Sequence, residues 1–311
     1  MPLHPAFRTY LDELAPLVAQ AERDGVAPTP ASARAALAGL RAYSAPDASV
    51  ALVRGGSAAG VPVRVYAPAP QEERDAVLFV HGGGHVAGDL DVYDGSARRT
   101  AAASGMTVVS VDYRRAPEWP YPAGLDDTAA VLNRLKEALV GIPWSGRVHA
   151  VADSGGAAKV ASLAMRAAAE RRTCAIERQV LIYPSLDYTM SGATMTEFGA
   201  GYFLSAQRVA WYFDQYFPAG VDRTEASPVS GPFSADMPET LVIAAEYDPL
   251  RSEAEEYVRR ARDAGARVSL VVATGMIHAF AFFETLVPRD VARLYEVAAG
   301  FLADGTVPTR W

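Results

Sequence analysis

Three side chains of types used in nucleophilic catalysis each follow a stretch rich in β-branched residues. Ser154 lies in Val-Ala-Asp-Ser-Gly-Gly, Asp248 in Glu-Tyr-Asp-Pro-Leu, and His278 in Gly-Met-Ile-His-Ala-Phe. A serine hydroxyl is a weak nucleophile that needs a general base, and the base needs an acid to orient it. The three residues therefore predict a serine nucleophile, a histidine base and an aspartate partner. The Asp-Ser-Gly-Gly run could instead cap a helix, with Ser154 or Asp153 as the capping residue.

Three consecutive glycines, at 82–84, follow His81 and the apolar run 76–80. Glycine loses more conformational entropy on folding than any other residue, so we expect a specific requirement for them. Because they lack side chains, their N–H groups can converge on one point and bind a negatively charged oxygen. The N–H after Ser154 and the start of the helix beyond it can stabilise developing negative charge as well. The alternative interpretation of the glycines is a flexible turn.

Metal binding is a weaker interpretation of two other groups of residues. His81 and His85 could both be ligands, but the glycines between them provide no helix to align the rings, and no third ligand is evident. Asp89, Asp91 and Asp94 resemble part of a calcium loop without its glycine and terminal glutamate. The sequence therefore predicts neither a metal nor a cofactor.

The elements that would position these residues alternate along the chain. Apolar runs predict strands at 61–66, 76–81, 106–112, 147–152, 179–183, 240–245 and 267–273. Amphipathic patterns predict helices at 5–24, 32–43, 125–138, 157–171, 252–264 and 289–303. Strands that alternate with helices favour a mainly parallel sheet with helices on both faces.

The segment 187–228 interrupts this alternation and is rich in aromatic residues. It includes Tyr202, Phe203 and Trp211. One interpretation is an inserted helical layer that packs its aromatics into the core. The other is a cap over a substrate pocket, because ligands often bind beyond the carboxyl ends of parallel strands. Both can hold at once.

Composition limits the class of protein. The 311 residues carry 29 cationic and 36 acidic side chains, a net charge of −7, which argues against a nucleic-acid-binding protein. Cys174 is the only cysteine, so an intrachain disulfide is excluded. No apolar run reaches the roughly 18 residues of a membrane span, and the charged N-terminal region lacks the apolar stretch of a secretory signal. We expect one cytoplasmic domain, 1–311.

Several motifs together resemble the hormone-sensitive-lipase branch of the α/β-hydrolases, which includes bacterial carboxylesterases and lipases. The resemblance runs from about residue 60 to the C-terminus. The order serine, aspartate, histidine is also that of α/β-hydrolases. The motifs are His81 to Gly84, the stretch 111–118, Tyr121-Pro122-Ala123, Asp126-Asp127, the Ser154 turn, the stretch 248–251, and His278.

The resemblance implies an α/β-hydrolase fold, with a mostly parallel eight-stranded sheet flanked by helices. It also implies a helical cap from about 1–45 and 187–228. Its oxyanion hole would be the N–H groups of Gly83, Gly84 and Gly155, and no cofactor would be needed. Members of this family often form dimers, so a homodimer is one expected assembly.

This chain departs from the usual family pattern at four positions. Ala152 and Gly155 replace the glycine and the alanine of the usual Gly-Asp-Ser-Ala-Gly turn, and Gly155 should loosen it. His85 occupies a position where the family commonly has a large aromatic residue. Arg115 replaces a leucine. The side chains that we predict to line the substrate pocket are His85, Tyr202, Phe203 and Trp211.

The predicted function is a serine carboxylesterase that hydrolyses short- to medium-chain esters through an acyl-enzyme. One alternative keeps the site but changes the reaction, as in a cyclase, an eliminase or an acyl transferase of a biosynthetic pathway. Another is a small-molecule receptor, which would be expected to lack a triad member. The expected partner is a small ester substrate.

Overall fold

The structure, a computed structural model, describes residues 1–170 and 174–311, and these form one eight-stranded sheet. Most buried positions of the central strands hold apolar side chains, chiefly Val, Leu, Ile and Ala, as expected where a sheet is covered on both faces. The strands are β1 (Leu52–Ala58), β2 (Val61–Ala67), β3 (Arg74–Val80), β4 (Thr107–Val111), β5 (Trp144–Asp153), β6 (Ile176–Ile182), β7 (Glu239–Tyr247) and β8 (Val268–Ile277).

The strand order confirms the predicted mostly parallel sheet. It runs β1-β2-β4-β3-β5-β6-β7-β8, and only the β1–β2 and β2–β4 pairings are antiparallel. The carboxyl ends of β3, β5, β7 and β8 consequently meet at one edge. β1 was not predicted, because this outer strand is largely exposed and contains Gly55 and Gly56 instead of an apolar run.

Helices connect and cover the strands. The helices are α1 (Pro5–Arg23), α2 (Pro30–Gly39), α3 (Asp94–Ser104), α4 (Ala123–Asn133), α5 (Leu135–Ala138), α6 (Ser154–Ala169), α7 (Ala193–Glu197), α8 (Ala206–Tyr216), α9 (Arg223–Ala226), α10 (Arg251–Asp263) and α11 (Pro288–Asp304). None of the helices in the described ranges combines the length and the apolar composition that crossing a bilayer requires.

Two differences between the predicted and the observed helices have a local cause. The helix expected at 125–138 divides into α4 and α5 at Arg134, whose φ of −122° is not helical. α3 was missed because it buries only small side chains, Ala97, Thr100 and Ala101, and so lacks a visible apolar face. The predicted end of the 157–171 helix, at residue 171, lies outside the described residues.

Side chains of each central strand alternate between two apolar layers. In β3, Leu78 and Val80 pack in the layer that contains α6 and α10, whereas Val77 and Phe79 pack with α3 and α11. This alternation follows from the period of two in a strand. Because both layers are apolar, the strand reads as a continuous hydrophobic run instead of an alternating one.

A third apolar cluster lies beyond the carboxyl edge of the sheet. Helix α8 contributes Val209, Phe213 and Tyr216, which pack against Tyr188 and neighbouring apolar residues. Ser205 caps α8 by accepting the amide hydrogen of Arg208. The aromatic insert is therefore a packed helical layer, as the first of its two interpretations stated.

Candidate active site

Ser154 lies at the junction of β5 and α6. Its φ of +48° is a left-handed conformation that is costly for a residue other than glycine and persists only where the surroundings hold it. The turn is tight because α6 begins directly against β3, where a Cβ at Gly156 would lie 2.2 Å from the carbonyl oxygen of Val80. The junction holds the serine at the carboxyl edge of the sheet.

The neighbouring strands β7 and β8 bring the acid and the base together. Tyr247 pairs with Ile277 in the register of these strands, so Asp248 and His278 follow side by side. Asp248 Oδ2 lies 2.7 Å from His278 Nδ1, and His278 Nε2 lies 3.1 Å from Ser154 Oγ. The three residues that the sequence singled out therefore form one hydrogen-bonded chain.

The hydrogen-bond partners of Asp248 determine which imidazole nitrogen of His278 carries the hydrogen. Asp248 is 1% exposed, and its Oδ1 accepts the amide hydrogen of Leu250 at 2.9 Å. An ionised carboxylate only accepts hydrogen bonds, so its second oxygen favours the tautomer in which His278 Nδ1 carries the hydrogen. His278 Nε2 is then the free acceptor that faces the serine hydroxyl, the arrangement required of a general base.

The glycine loop after β3, which we define as residues 81–88, has a backbone conformation that side chains at its glycines would prevent. Gly83 and Gly84 adopt φ values of +105° and +60°. A Cβ would lie 2.2 Å from the carbonyl oxygen of Ala87 at Gly83, and 2.4 Å from the ring of Tyr212 at Gly84. Both glycines line the same cavity as Ser154 and Gly155. The loop is therefore a constrained structure, and the flexible-turn interpretation does not describe it.

Two side chains stabilise this loop by donating hydrogen bonds to its carbonyl oxygens. The Tyr113 hydroxyl donates to the carbonyl oxygen of His81 at 2.7 Å. Arg115 Nη1 donates to the carbonyl oxygen of Gly88 at 2.5 Å and to Asp112 at 2.8 Å. The arginine that departs from the family pattern is thus a support for the far end of the loop.

Asp153 links the glycine loop to the turn that contains Ser154. The sequence did not predict this link, because the chemistry of the motif was assigned to the adjacent Ser154. Its Oδ1 accepts the Gly82 amide hydrogen at 2.6 Å, and its Oδ2 accepts from the Tyr93 hydroxyl at 3.1 Å. Burial raises the pKa of Asp153 to about 6, although both hydrogen bonds favour its charged form. Its position directly before the serine was the only available signal.

A cavity of about 400 Å³ opens beside Ser154 and His278. Its walls come from regions far apart in the chain, because α1 contributes Tyr10 and Leu14 and α8 contributes Tyr212. Most of its remaining lining is apolar. A pocket of this size with a few convergent polar groups is typical of sites for small molecules.

The structure places only one of the four predicted pocket residues on this cavity. Phe203 lines it, whereas Tyr202 turns away and stacks on Tyr247 with ring centroids 5.4 Å apart. On α8, Tyr212 faces the cavity instead of the adjacent Trp211, since consecutive helical residues point about 100° apart. His85 is buried behind the loop, with 1% exposure.

His81 has a structural environment. It stacks on Tyr113 and Tyr93, with ring centroids 4.3 and 5.1 Å away, and burial lowers its pKa to about 3. Within the described part of the chain, no group of three or more His, Cys, Asp or Glu side chains is arranged to hold a metal ion. The Asp91 and Asp94 carboxylates instead pair with Arg64.

Comparison with known proteins extends these observations. A family model described as the alpha/beta hydrolase fold matches residues 77–282, a range that contains the glycine loop, Ser154, Asp248 and His278. Ethyl acetate hydrolase of Pseudomonas putida is 36% identical over 227 residues, 71% of each chain. The carboxylic ester hydrolase LipN of Mycobacterium tuberculosis is 33% identical over 235 residues, which cover 72% of this chain and 62% of LipN.

A solved structure shows the same architecture over nearly all of this chain. It is an ester-hydrolase from the metagenome of Lake Arreo, complexed with a derivative of bipyridine phosphonate. The TM-score is 0.86 at 29% sequence identity, and the match covers 98% of this chain and 100% of the other.

Proposed function

Because this chain belongs to the hormone-sensitive-lipase-like family of α/β-hydrolases and is a carboxylic ester hydrolase, we propose that Ser154, His278 and Asp248 are its nucleophile, general base and orienting acid. The observation that carries this assignment is the continuous hydrogen-bonded chain from Ser154 Oγ through His278 to Asp248. The comparisons do not favour the alternative of a cyclase, an eliminase or an acyl transferase.

Acylation begins at the serine. His278 Nε2 removes the hydroxyl proton as Ser154 Oγ attacks the ester carbonyl carbon. Asp248 keeps the imidazole in the required tautomer and stabilises its charged form. The tetrahedral intermediate collapses when His278 donates the proton to the leaving alcohol, and the acyl group remains on Ser154. In deacylation His278 activates water, which releases the acid and restores the serine.

The amide groups of Gly83, Gly84 and Gly155 are the donors that we assign to the oxyanion. All three residues line the cavity beside Ser154. A donor that is held in place before reaction stabilises the developing charge without reorganisation, and removal of one costs about 10²- to 10³-fold in kcat. The constrained conformations of Gly83 and Gly84 support this assignment.

The acyl group occupies the apolar cavity, whose walls include the helical cap that we assign to about 1–45 and 187–228. The volume of about 400 Å³ suits short- to medium-chain acyl groups. Long chains would have to extend past Leu14 and Val18 of α1, at the outer part of the lining. Hydrolysis rates for p-nitrophenyl esters from acetate to palmitate test this limit.

The central test is replacement of the nucleophile. Ser154→Ala should abolish turnover of p-nitrophenyl acetate, whereas Ser57→Ala, at an exposed position of β1, should retain it. An organophosphate should label Ser154 in the unaltered protein, as read by mass spectrometry. Full activity of Ser154→Ala would disprove the assignment, and the absence of a Ser154 adduct would favour the receptor alternative.

Assembly and cellular location belong to the same proposal. β8 is an outer strand of the sheet, and outer strands offer backbone groups to a second copy. Light scattering in solution should therefore give the mass of a homodimer. The single cysteine is compatible with a cytoplasmic location, where disulfides are rare. Cell fractionation tests that location.

A further inference from the structure

Lys159 is a buried lysine next to Gly155, one of the proposed oxyanion donors. It lies in α6 with 1% exposure and is one of only two lysines in the chain. Its Nζ lies 2.8 Å from His85 Nδ1 and 3.5 Å from the carbonyl oxygen of Gly155. It also lies 4.0 Å from the centre of the Tyr113 ring. A lysine is almost never fully buried unless it is paired, so this one requires an explanation.

His85, the partner of this lysine, follows the three glycines of the loop and has a strained conformation. Its φ is +66°, and it continues a run of positive φ angles that starts at Gly83. A non-glycine residue holds such a conformation only where several contacts determine it. The ring of His85 stacks on Tyr216 with centroids 3.8 Å apart and planes 5° from parallel, and its carbonyl oxygen accepts the Ala116 amide hydrogen at 3.0 Å.

The same imidazole packs against the turn after the serine. A Cβ at Gly155 would lie 3.2 Å from His85 Cε1 and 3.3 Å from the His85 backbone nitrogen. An alanine would therefore push the ring or the loop away by a few tenths of an ångström. Gly155 and His85 are both departures from the family pattern, and this contact shows that each accommodates the other.

We propose that Lys159 and His85 form a positioning pair, which holds the glycine loop against the first turn of α6 and so fixes the relative position of the amide groups of Gly83, Gly84 and Gly155. Two separate chain segments supply these donors, and the pair joins them through a contact separate from the Asp153–Gly82 hydrogen bond. The inference rests on the proposed esterase mechanism, because it concerns the donors assigned there.

The pair works with Lys159 protonated and His85 neutral, so that the ammonium donates to Nδ1. Burial lowers the pKa of Lys159 to about 7 and that of His85 well below its ordinary value. Among the described residues, the titratable neighbours of Lys159 are His85 and His81 of the glycine loop, Tyr113 after β4, and Tyr216 of α8. None of these four is a carboxylate that would hold the proton on the amine, and α4 faces the lysine through Gly124. Deprotonation replaces a charge-assisted hydrogen bond by one about half as strong.

The first experiment compares Lys159→Met with Lys136→Met, a matched control at the exposed second lysine. Hydrolysis of p-nitrophenyl acetate is measured from pH 6 to 9, with Ser154→Ala as the blank. Lys159→Met should lower kcat by about 10- to 100-fold with little change in KM, because the donors act on the transition state. The kcat of the unaltered protein should fall about fivefold from pH 7 to 9, and this fall should be absent from Lys159→Met.

A double-mutant cycle separates positioning from support of the fold. His85→Phe keeps a ring on Tyr216 but removes the nearest acceptor of the buried amine, which keeps only the Gly155 carbonyl oxygen at 3.5 Å, so the Tm of this variant should fall. Addition of Lys159→Met should restore the Tm, because the buried amine that lost its imidazole acceptor is then replaced by an apolar side chain. The kcat of the double variant should nevertheless stay as low as that of Lys159→Met. If the double variant recovers both Tm and kcat, the role is purely structural and the proposal is wrong.

The outcomes also distinguish this inference from the function on which it rests. If the unaltered protein neither hydrolyses esters nor forms a Ser154 adduct, the proposed function fails. If it does both, while Lys159→Met keeps kcat within twofold and an unchanged pH profile, only the positioning pair is disproved. Should Lys159→Met not fold, the double variant provides the same comparison, since its two replaced side chains are both apolar.

Discussion

Ser154, His85 and Ala279 are non-glycine residues with positive φ angles, and each lies in or next to the proposed catalytic machinery. Local conformations of this kind cost of order 1–3 kcal/mol and persist where tertiary contacts determine them.

The residue types and their motifs made Ser154 and His278 predictable. The support from Lys159 was not predictable, because a lysine in a helical pattern is ordinarily exposed and only the packed structure shows it buried.

At the residue scale, the orienting acid is the clearest target. Asp248→Asn keeps the size of the side chain but favours the wrong imidazole tautomer, with Nε2 protonated towards the serine. We expect kcat for a p-nitrophenyl ester to fall by about 10⁴-fold. The matched control is Asp236→Asn, at an exposed position, which should leave kcat unchanged. Retention of more than a tenth of the kcat by Asp248→Asn would contradict the assigned role.

At the scale of elements, strand order and helix orientation decide which side chains meet. The adjacent ends of β7 and β8 deliver Asp248 and His278, and the β5–α6 junction delivers Ser154. Short-range patterns predicted most of these strands, because a buried parallel strand reads as an apolar run. The same patterns did not predict how α8 is rotated about its axis. As a result of that rotation Tyr212, and not Trp211, faces the cavity.

The orientation of α8 predicts a change in acyl specificity. Tyr212→Ala removes a ring from the cavity wall beside Gly84 and so lengthens the space for an acyl chain. The ratio of kcat/KM for a p-nitrophenyl octanoate to that for the acetate should rise by about tenfold. Gln207→Ala, at an exposed position of the same helix, is the control. An unchanged ratio in Tyr212→Ala would mean that acyl chains do not occupy this part of the cavity.

Helix α11 allows a matched test of stability. A Cβ at Gly300 would meet nothing within 4 Å, so Gly300→Ala should raise the free energy of unfolding by about 0.5–1 kcal/mol. Gly305, the C-cap of the same helix, has a φ of +83°. Gly305→Ala should therefore lower the free energy of unfolding by about 1 kcal/mol. Urea denaturation measures both. Destabilisation by Gly300→Ala would show that this helix face is not open.

At the scale of the whole molecule, buried titratable groups make stability depend on pH. Burial raises the pKa of Asp153 to about 6 and that of Glu253 well above its ordinary value, whereas it lowers that of Lys159. These groups lie on or near the carboxyl edge of the sheet. The fold therefore retains costly polar groups where the proposed chemistry takes place, a pattern typical of functional sites.

Asp153 provides the test of this pH dependence. An unfolded aspartate ionises near pH 4, whereas folded Asp153 stays protonated until about pH 6. Between these values the unfolded state binds fewer protons, so the free energy of unfolding falls as pH rises, by about 3 kcal/mol in total. Asp153→Asn lacks this contribution and should show a shallower fall between pH 4 and 6 in urea titrations. A parallel pH dependence in both proteins would contradict the raised pKa.

The amino-acid pattern alone was enough to identify the mostly parallel sheet, the family and the three candidate catalytic residues. These features are expressed locally, as apolar runs, glycine-rich turns and residue types at strand ends. Outer strand β1 and helix α3 were not predicted, because neither contains an apolar run or a visible apolar face.

The cavity wall, the Asp153 bridge and the buried Lys159–His85 contact depend instead on packing between segments far apart in the chain. Distances such as the 2.8 Å between Lys159 and His85 arise only when two such segments meet. Burial, and with it each shifted pKa, follows from that packing. Local sequence indicates which apolar runs are buried, but it does not indicate that a polar side chain such as Lys159 is removed from water, so only the tertiary structure decided these properties.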